Sequence, residues 1–202
     1  MQTKNNASSM ACMLHFYKIT MQCIIHSRLN MQELPSAWIV KFAPLTKSQG
    51  HVLDLACGSG RHAKWLALKG YQVDALDRDP IATSSMQGID GIRIQQIDLE
   101  STEPPNFEHT YDGIIVSRYL HRPLLTTLAA ILKPGGILIY ETFMRGNERY
   151  GKPSNPDFLL MPDELLNIYS PLLKVIDFEQ GEVLEPKPAM LQRICAQKHI
   201  KP

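Results

Sequence analysis

From residue 50 onward, short apolar runs alternate with stretches whose apolar positions recur at helical spacing. His51 to Leu55, Tyr71 to Leu76, Ile92 to Ile97, Tyr111 to Val116 and Ile137 to Glu141 read as strands; the fourth is too apolar to be solvated on either face. Arg61 to Lys69 reads as a helix, with Ala63, Leu66 and Ala67 on one face and Gly70 just past its end as a C-cap. Asp79-Pro80 starts a second helix that runs to about Met86. Leu124 to Leu132 forms a third, broken by Lys133-Pro134-Gly135-Gly136 before the fifth strand. Strands alternating with helices in this way predict an α/β domain with a parallel sheet.

The final third changes character. Pro162 to Tyr169 reads as a helix, and Leu172 to Phe178 and Met190 to Gln197 then face each other across a Gly- and Pro-containing connection. Two strands with no helix between them predict an antiparallel hairpin closing the sheet. At the other end, MQELPSAWIVKFAPL from Met31 reads as a leading helix that covers a domain edge. The thirty residues before it are polar, then mixed, and His15, Lys18, Gln22 and His26 interrupt every apolar stretch. That leaves no run of about 18 apolar residues for a membrane span and no clean core for a signal peptide. Residues 1–30 are expected to be a loosely ordered extension, with a docked helix over 10–29 as the alternative, and residues 31–202 to form the folded domain.

At roughly 150 residues per domain, 202 residues make one domain with a surplus. With 44% hydrophobic and 20% charged residues, the chain is not of the disordered class. Its formal net charge of +1 advertises no polyanionic partner. Cys12, Cys23, Cys57 and Cys195 are scattered, without a CxxC pair or a histidine at metal-ligand spacing, so no metal site and a reducing, cytoplasmic setting are expected.

Candidate chemistry concentrates in Val52-Leu53-Asp54-Leu55-Ala56-Cys57-Gly58-Ser59-Gly60-Arg61-His62. Glycines at 58 and 60 let the chain turn sharply from strand into helix and let backbone approach a ligand at a helix N-terminus. The alternative is a tight structural turn. Three carboxylates weigh against that alternative: Asp54 at the end of the first strand, Asp77 at the end of the second, and Asp98 at the end of the third. Asp77 stands where a carboxylate accepts hydrogen bonds from ribose hydroxyls, and Asp98 where it reaches an adenine edge. Any one of them alone reads equally well as a helix cap.

VLDLACGSGRH, ALDRDP, IDLE, YDGIIV and LKPGGILIYE, in this order and spacing, resemble the successive motifs of class I S-adenosylmethionine-dependent methyltransferases over about residues 50 to 143. The resemblance implies a Rossmann-like seven-stranded sheet flanked by helices, in the order 3-2-1-4-5-7-6 with strand seven antiparallel. It also implies S-adenosyl-L-methionine across the carboxyl ends of strands one to four. Asp54 and the backbone of Gly58 and Gly60 would hold the methionine portion, Asp77 the ribose, and Asp98 with Leu99 the adenine. Ala56, Arg78 and Ser117 belong to the same implied cofactor site. The SRYLHRPLL string and the stretch from YETF to NPDFLL are similar to a bacterial branch of small methyltransferases beside tellurite-resistance-type enzymes.

Methyl transfer needs two aligned reactants and, for a protonated acceptor, a base. Ser117-Arg118-Tyr119-Leu120-His121-Arg122, after the fourth strand, carries the candidates: His121 as base or substrate ligand, and Arg118 and Arg122 for an anionic acceptor. Tyr119 stands against the adenine or walls the acceptor pocket. A capping histidine, solvated arginines and a packing tyrosine are the plain alternatives. Glu141 reads as a second acidic wall or a cap, and the long stretch from Glu141 to Phe158 as a lid. The reading is an enzyme that methylates a small molecule. An RNA methyltransferase is the runner-up, requiring Arg118, Arg122, Arg145, Arg149 and Lys152 to form one rim. A non-catalytic cofactor-binding subunit and a nicotinamide oxidoreductase stand behind these.

Overall fold

The computed structural model of the chain describes residues 34–102 and 105–200, so the expectation for residues 1–30 lies outside the described residues. Helix α1 (Ala37–Phe42) opens the compact unit that begins at Pro35. Then follow β1 (His51–Leu55), α2 (Arg61–Leu68), β2 (Gln72–Asp77), α3 (Pro80–Thr83) and β3 (Ile92–Gln96). The rest is β4 (Tyr111–Ser117), α4 (Leu125–Ala130), β5 (Leu132–Phe143), α5 (Glu164–Tyr169), β6 (Lys174–Val183) and β7 (Ala189–Gln197). The strands form one seven-stranded sheet in the order β3-β2-β1-β4-β5-β7-β6. β1 to β5 pair in parallel, and β7 runs antiparallel to both β5 and β6. Fold class, strand order and the closing hairpin therefore stand as expected.

Alternation along each strand divides the core between the two faces of the sheet. Leu53, Leu55, Ile114, Val116, Leu138 and Tyr140 pack with Leu125 and Leu128 of α4 and Leu165 and Tyr169 of α5. Val52, Val73, Ala75, Ile115, Ile137 and Ile139 pack with Trp38, Ile39 and Phe42 of α1 and Ala63 and Leu66 of α2. Burial of each such Leu or Ile contributes roughly 1.5–3 kcal/mol, so the central strands hold the sheet from both sides. α1 is tied further by the Trp38 indole N–H, which donates to the Ile194 carbonyl of β7 at 3.4 Å.

The structure corrects the element boundaries at three places. Lys133-Pro134-Gly135-Gly136 does not precede β5 but lies inside it. Leu132 pairs with Tyr111 and the next matched pair is Gly113 with Ile137, so a bulge absorbs the Pro-Gly-Gly turn without ending the strand. A Cβ on Gly136 would stand 2.9 Å from both the Lys133 and Tyr111 carbonyl oxygens, which is why this position takes glycine. The helix after β2 stops at Thr83 and tightens into a 3-10 turn over Ser84–Met86. β6 runs on to Val183, because β7 offers it backbone partners along that whole length.

A buried carboxylate locks the amino-terminal edge of the sheet. Asp74, 2% exposed, accepts both Nε and Nη2 of Arg93 at 2.9 and 2.8 Å and the Tyr111 hydroxyl at 2.9 Å, with His51 Nε2 at 3.1 Å. Those contacts join β1, β2, β3 and β4, and the donors hold the Asp74 carboxyl below its ordinary range against the opposing effect of burial. Asp74→Ala strands these donors and is expected to destabilise the fold by about 3 kcal/mol, and Tyr111→Phe by about 1 kcal/mol, in denaturant unfolding. Equal midpoints for wild type and Asp74→Ala would show that the cluster contributes nothing.

Candidate functional site

The strand order reverses between β1 and β4, so the loops leaving their carboxyl ends part and open a crevice there. The loop from β1 to α2 turns through three left-handed residues, Ala56 (φ 53°), Gly58 (φ 54°) and Gly60 (φ 73°). At Gly60 a Cβ would overlap the Met86 sulfur at 1.8 Å, whereas one on Gly58 would meet nothing within 4 Å. Gly60 thus permits packing against the α3 region, and Gly58 leaves an open backbone surface. The Cys57 N–H donates to the Leu76 carbonyl at 2.9 Å and the Gly58 N–H to Asp77 Oδ2 at 2.7 Å, so β2 holds the loop in place. Cys57 itself is buried, and burial, followed by the Asp54 and Asp77 charges, pushes its thiol pKa well up.

Beside the loop lies a cleft of about 240 Å³ that brings together Ala56, Asp77, Arg78, Asp98, Leu99 and Tyr119, with Ile97 and Glu100 completing the wall. The Asp77 oxygens each accept one backbone N–H, from Gly58 at 2.7 Å and Asp79 at 3.0 Å, and each keeps acceptor capacity. Asp98 Oδ1 accepts the Glu100 N–H at 3.0 Å. Arg78 and Glu100 face each other at 3.8 Å from the loops after β2 and β3. The buried Tyr119 hydroxyl has Glu100 as its nearest acidic neighbour, without a well-formed hydrogen bond among the described residues, and burial followed by Glu100 raises its pKa, so it stays protonated and able to donate.

The remaining predicted residues stand outside that cleft. Asp54, 1% exposed at the end of β1, accepts the Ala63 N–H at 2.9 Å. Burial raises its pKa to about 7 against the opposing pull of that N–H and of Arg61. Ser117 ends β4, donating to Glu141 Oε1 at 2.9 Å and accepting from Arg61 Nη2 at 3.0 Å. Arg118 is exposed in the left-handed region (φ 57°), its N–H on the Glu141 carbonyl at 2.9 Å. His121 is half-buried and precedes the 3-10 turn Arg122–Leu124 without capping it by its side chain. Arg122 is committed elsewhere: its guanidinium bridges Glu164 at 2.7 Å and the carbonyls of Asp157 and Leu159. The long connection after β5 is accordingly strapped down, with Asn147 buried between the Pro153 carbonyl and the Met190 N–H.

Three side chains here had no role in the sequence reading: Arg61, His62 and Ser36. The usable signal was Arg61 itself, a cation in the first turn of a helix, where the dipole favours anions. His62 is 3% exposed and accepts the Ser36 N–H at Nε2, 3.2 Å away. Burial, then Arg61 and Arg118, lower its pKa to about 3, so the ring is neutral. Nothing in the local pattern connected Ser36 to residues more than a hundred positions away. Among the described residues there is no helix long and apolar enough to cross a membrane, and no group of three His, Cys, Asp or Glu that could hold a metal ion.

Comparison with known proteins agrees with this geometry. A family described as "Methyltransferase domain" matches residues 27–172. Ubiquinone biosynthesis O-methyltransferase of Vibrio cholerae is 31% identical over 110 residues, which cover 49% of this chain and 44% of that protein, so the match spans less than half of the curated relative. TehB from Haemophilus influenzae shares the fold at TM-score 0.67 and 20% identity, over 81% of this chain and 62% of that one. A TehB-like SAM-dependent methyltransferase from Corynebacterium glutamicum does so at 0.62 and 16%, over 91% and 97%. The strand order, the open glycine loop and a family match covering most of the chain place this protein in the methyltransferase-domain family.

Proposed function

We propose that the protein transfers a methyl group from S-adenosyl-L-methionine to a small-molecule acceptor in a cytoplasmic setting. The observation that carries the donor assignment is the Asp77 carboxylate, fixed by two backbone N–H groups at the end of β2 with a lone pair left on each oxygen for a ribose diol. The rest of the cleft fits: Asp98 and Leu99 for an adenine edge, the buried Tyr119 donor on the wall, and open space at Gly58 for close backbone approach. Asp54, a carboxylate buried near the end of β1 beside the glycine loop, is the candidate partner for the ammonium of the amino-acid end. The donor supplies an electrophilic methyl group on a sulfonium when bound.

The chain's own residues bind, orient and take a proton. His121, after β4 and half-buried, is the candidate base for the acceptor's proton, and the exposed Arg118 is the candidate partner for an anionic group on it. Tyr119 serves as a wall of the cofactor cleft. The similarity to an O-methyltransferase of Vibrio cholerae favours a hydroxyl acceptor. An RNA acceptor is disfavoured by two of the five cations its rim requires: Arg122 pairs with Glu164 and Arg149 faces Glu182 at 4.0 Å. A methylation screen with labelled donor over hydroxyl, thiol and carboxylate compounds and total RNA tests the acceptor; incorporation into RNA alone would overturn the small-molecule assignment.

Calorimetry on Asp77→Ala is expected to show donor affinity weakened by roughly 1–3 kcal/mol. Under single turnover, His121→Ala should slow methylation about 100-fold with donor binding intact. Asp54 gives a pH signature. Native Asp54 holds a proton that the unfolded side chain has lost, so its contribution to stability is full below about pH 4 and gone above about pH 7. A bound ammonium favours the ionised form, so donor affinity should rise with pH up to about 7, by at most about tenfold per unit, and then level. Asp54→Asn should flatten that profile.

A further inference from the structure

Apart from the 240 Å³ cleft, the connection after β5 and helix α5 wall a second cavity of about 460 Å³, which is in the size range of small-molecule sites. Leu159, Met161 and Ile168 give it an apolar side. Four charged side chains line the same space: Arg122, Arg145, Asp157 and Glu164. Their formal charges cancel, so the cavity favours neither a plain anion nor a plain cation by its net charge. Their distribution is uneven.

Arg122 serves two carboxylates. Its Nε and Nη2 donate to Glu164 Oε1 and Oε2 at 2.7 and 3.0 Å. That hydrogen bond raises the Arg122 pKa against burial, and the charge of Asp157 adds to the rise, so Asp157 lies within electrostatic reach of the same guanidinium. One guanidinium shared by two carboxylates leaves this side of the cavity with one negative charge in excess. Arg145 carries the balancing positive charge. Among the described residues no hydrogen bond or ion pair takes up the Arg145 guanidinium or the Asp157 carboxylate, and none joins the two.

Both exposed charges stand on fixed backbone. The Arg145 N–H donates to the Leu160 carbonyl at 2.9 Å, and the Leu160 N–H to the Phe143 carbonyl at 3.0 Å. Asp157 lies in the 3-10 turn Pro156–Phe158, its N–H on Asn155 Oδ1 at 3.0 Å and its carbonyl accepting from Arg122 at 2.7 Å. Glu164 Oε2 also accepts the Met161 N–H at 2.7 Å, which ties the apolar side to α5. Little ordering is therefore left to be done on binding. A simple anion or cation entering this space meets one attraction and one repulsion; a molecule with separated opposite charges meets two attractions.

We propose that this cavity is a binding site for a zwitterionic amino acid with a large apolar side chain, its carboxylate on Arg145, its ammonium on the Asp157 side, and its side chain against Leu159, Met161 and Ile168. The site is separate from the methyl-donor cleft and does not depend on the donor assignment.

The test uses the full chain at low ionic strength, where exposed charges are least screened. Three probes share one aromatic body: L-phenylalanine, 3-phenylpropanoate, which lacks the ammonium, and 2-phenylethylamine, which lacks the carboxylate. Calorimetry should show wild type binding L-phenylalanine about tenfold more tightly than either analogue. Arg145→Gln should weaken L-phenylalanine and 3-phenylpropanoate about five- to tenfold and leave 2-phenylethylamine within about twofold. Asp157→Asn should weaken L-phenylalanine and 2-phenylethylamine by a similar factor and spare 3-phenylpropanoate. Each variant carries the test alone, and an unchanged Tm shows that it folds. Wild type binding the three probes alike, or none of them up to about 10 mM, would overturn the proposal. So would a variant that weakens all three equally or leaves L-phenylalanine binding unchanged.

Discussion

Everything at the site depends on β1 lying in parallel register between β2 and β4 with both of its faces covered. Val52, Leu53, Asp54 and Leu55 are all buried, so the strand cannot slip by a residue without turning its apolar set onto the wrong layer. Because Leu55 pairs with both Leu76 and Val116, the carboxyl ends of three strands are level. Asp77, Ser117 and the glycine loop are then brought to one edge of the sheet. The opposite edge is secured by Asp74 and its donors from neighbouring strands, which leaves the carboxyl edge free to carry groups chosen for chemistry.

The sheet was legible in the sequence because its signals are local and repeated. Apolar runs ending at Asp77 and Asp98 marked both strands and cleft-wall residues, and the antiparallel pair at the end declared itself by lacking a crossover helix. Boundaries were less legible where a local breaker was overruled by pairing. Pro134 and Gly135 do break the regular ladder, but β4 and β7 supply partners on either side, and the strand resumes across a bulge.

The site was legible by halves. The cleft beside the glycine loop is written in consecutive short motifs: Ala56, Asp77, Arg78, Asp98 and Leu99, all singled out from the sequence, line it together. The hydrogen-bonded cluster beside that cleft is assembled from Ser36, Arg61, Ser117 and Glu141, whose separations along the chain carry no period and no motif. Only folding makes them neighbours. Arg122 shows the converse: it sits among candidate catalytic residues in the sequence, yet its guanidinium is used to strap the connection after β5 to α5.

Cys57 has a consequence for side reactions. A thiolate is a strong nucleophile, and on a loop proposed here to receive an electrophilic methyl donor it would compete with the acceptor and be alkylated itself. Burial, with Asp54 and Asp77 close by, keeps this sulfur in its protonated form. The same carboxylates proposed to receive a cationic donor thus make the neighbouring thiol a poor target, so on that reading selectivity among nucleophiles begins inside the protein before any acceptor arrives.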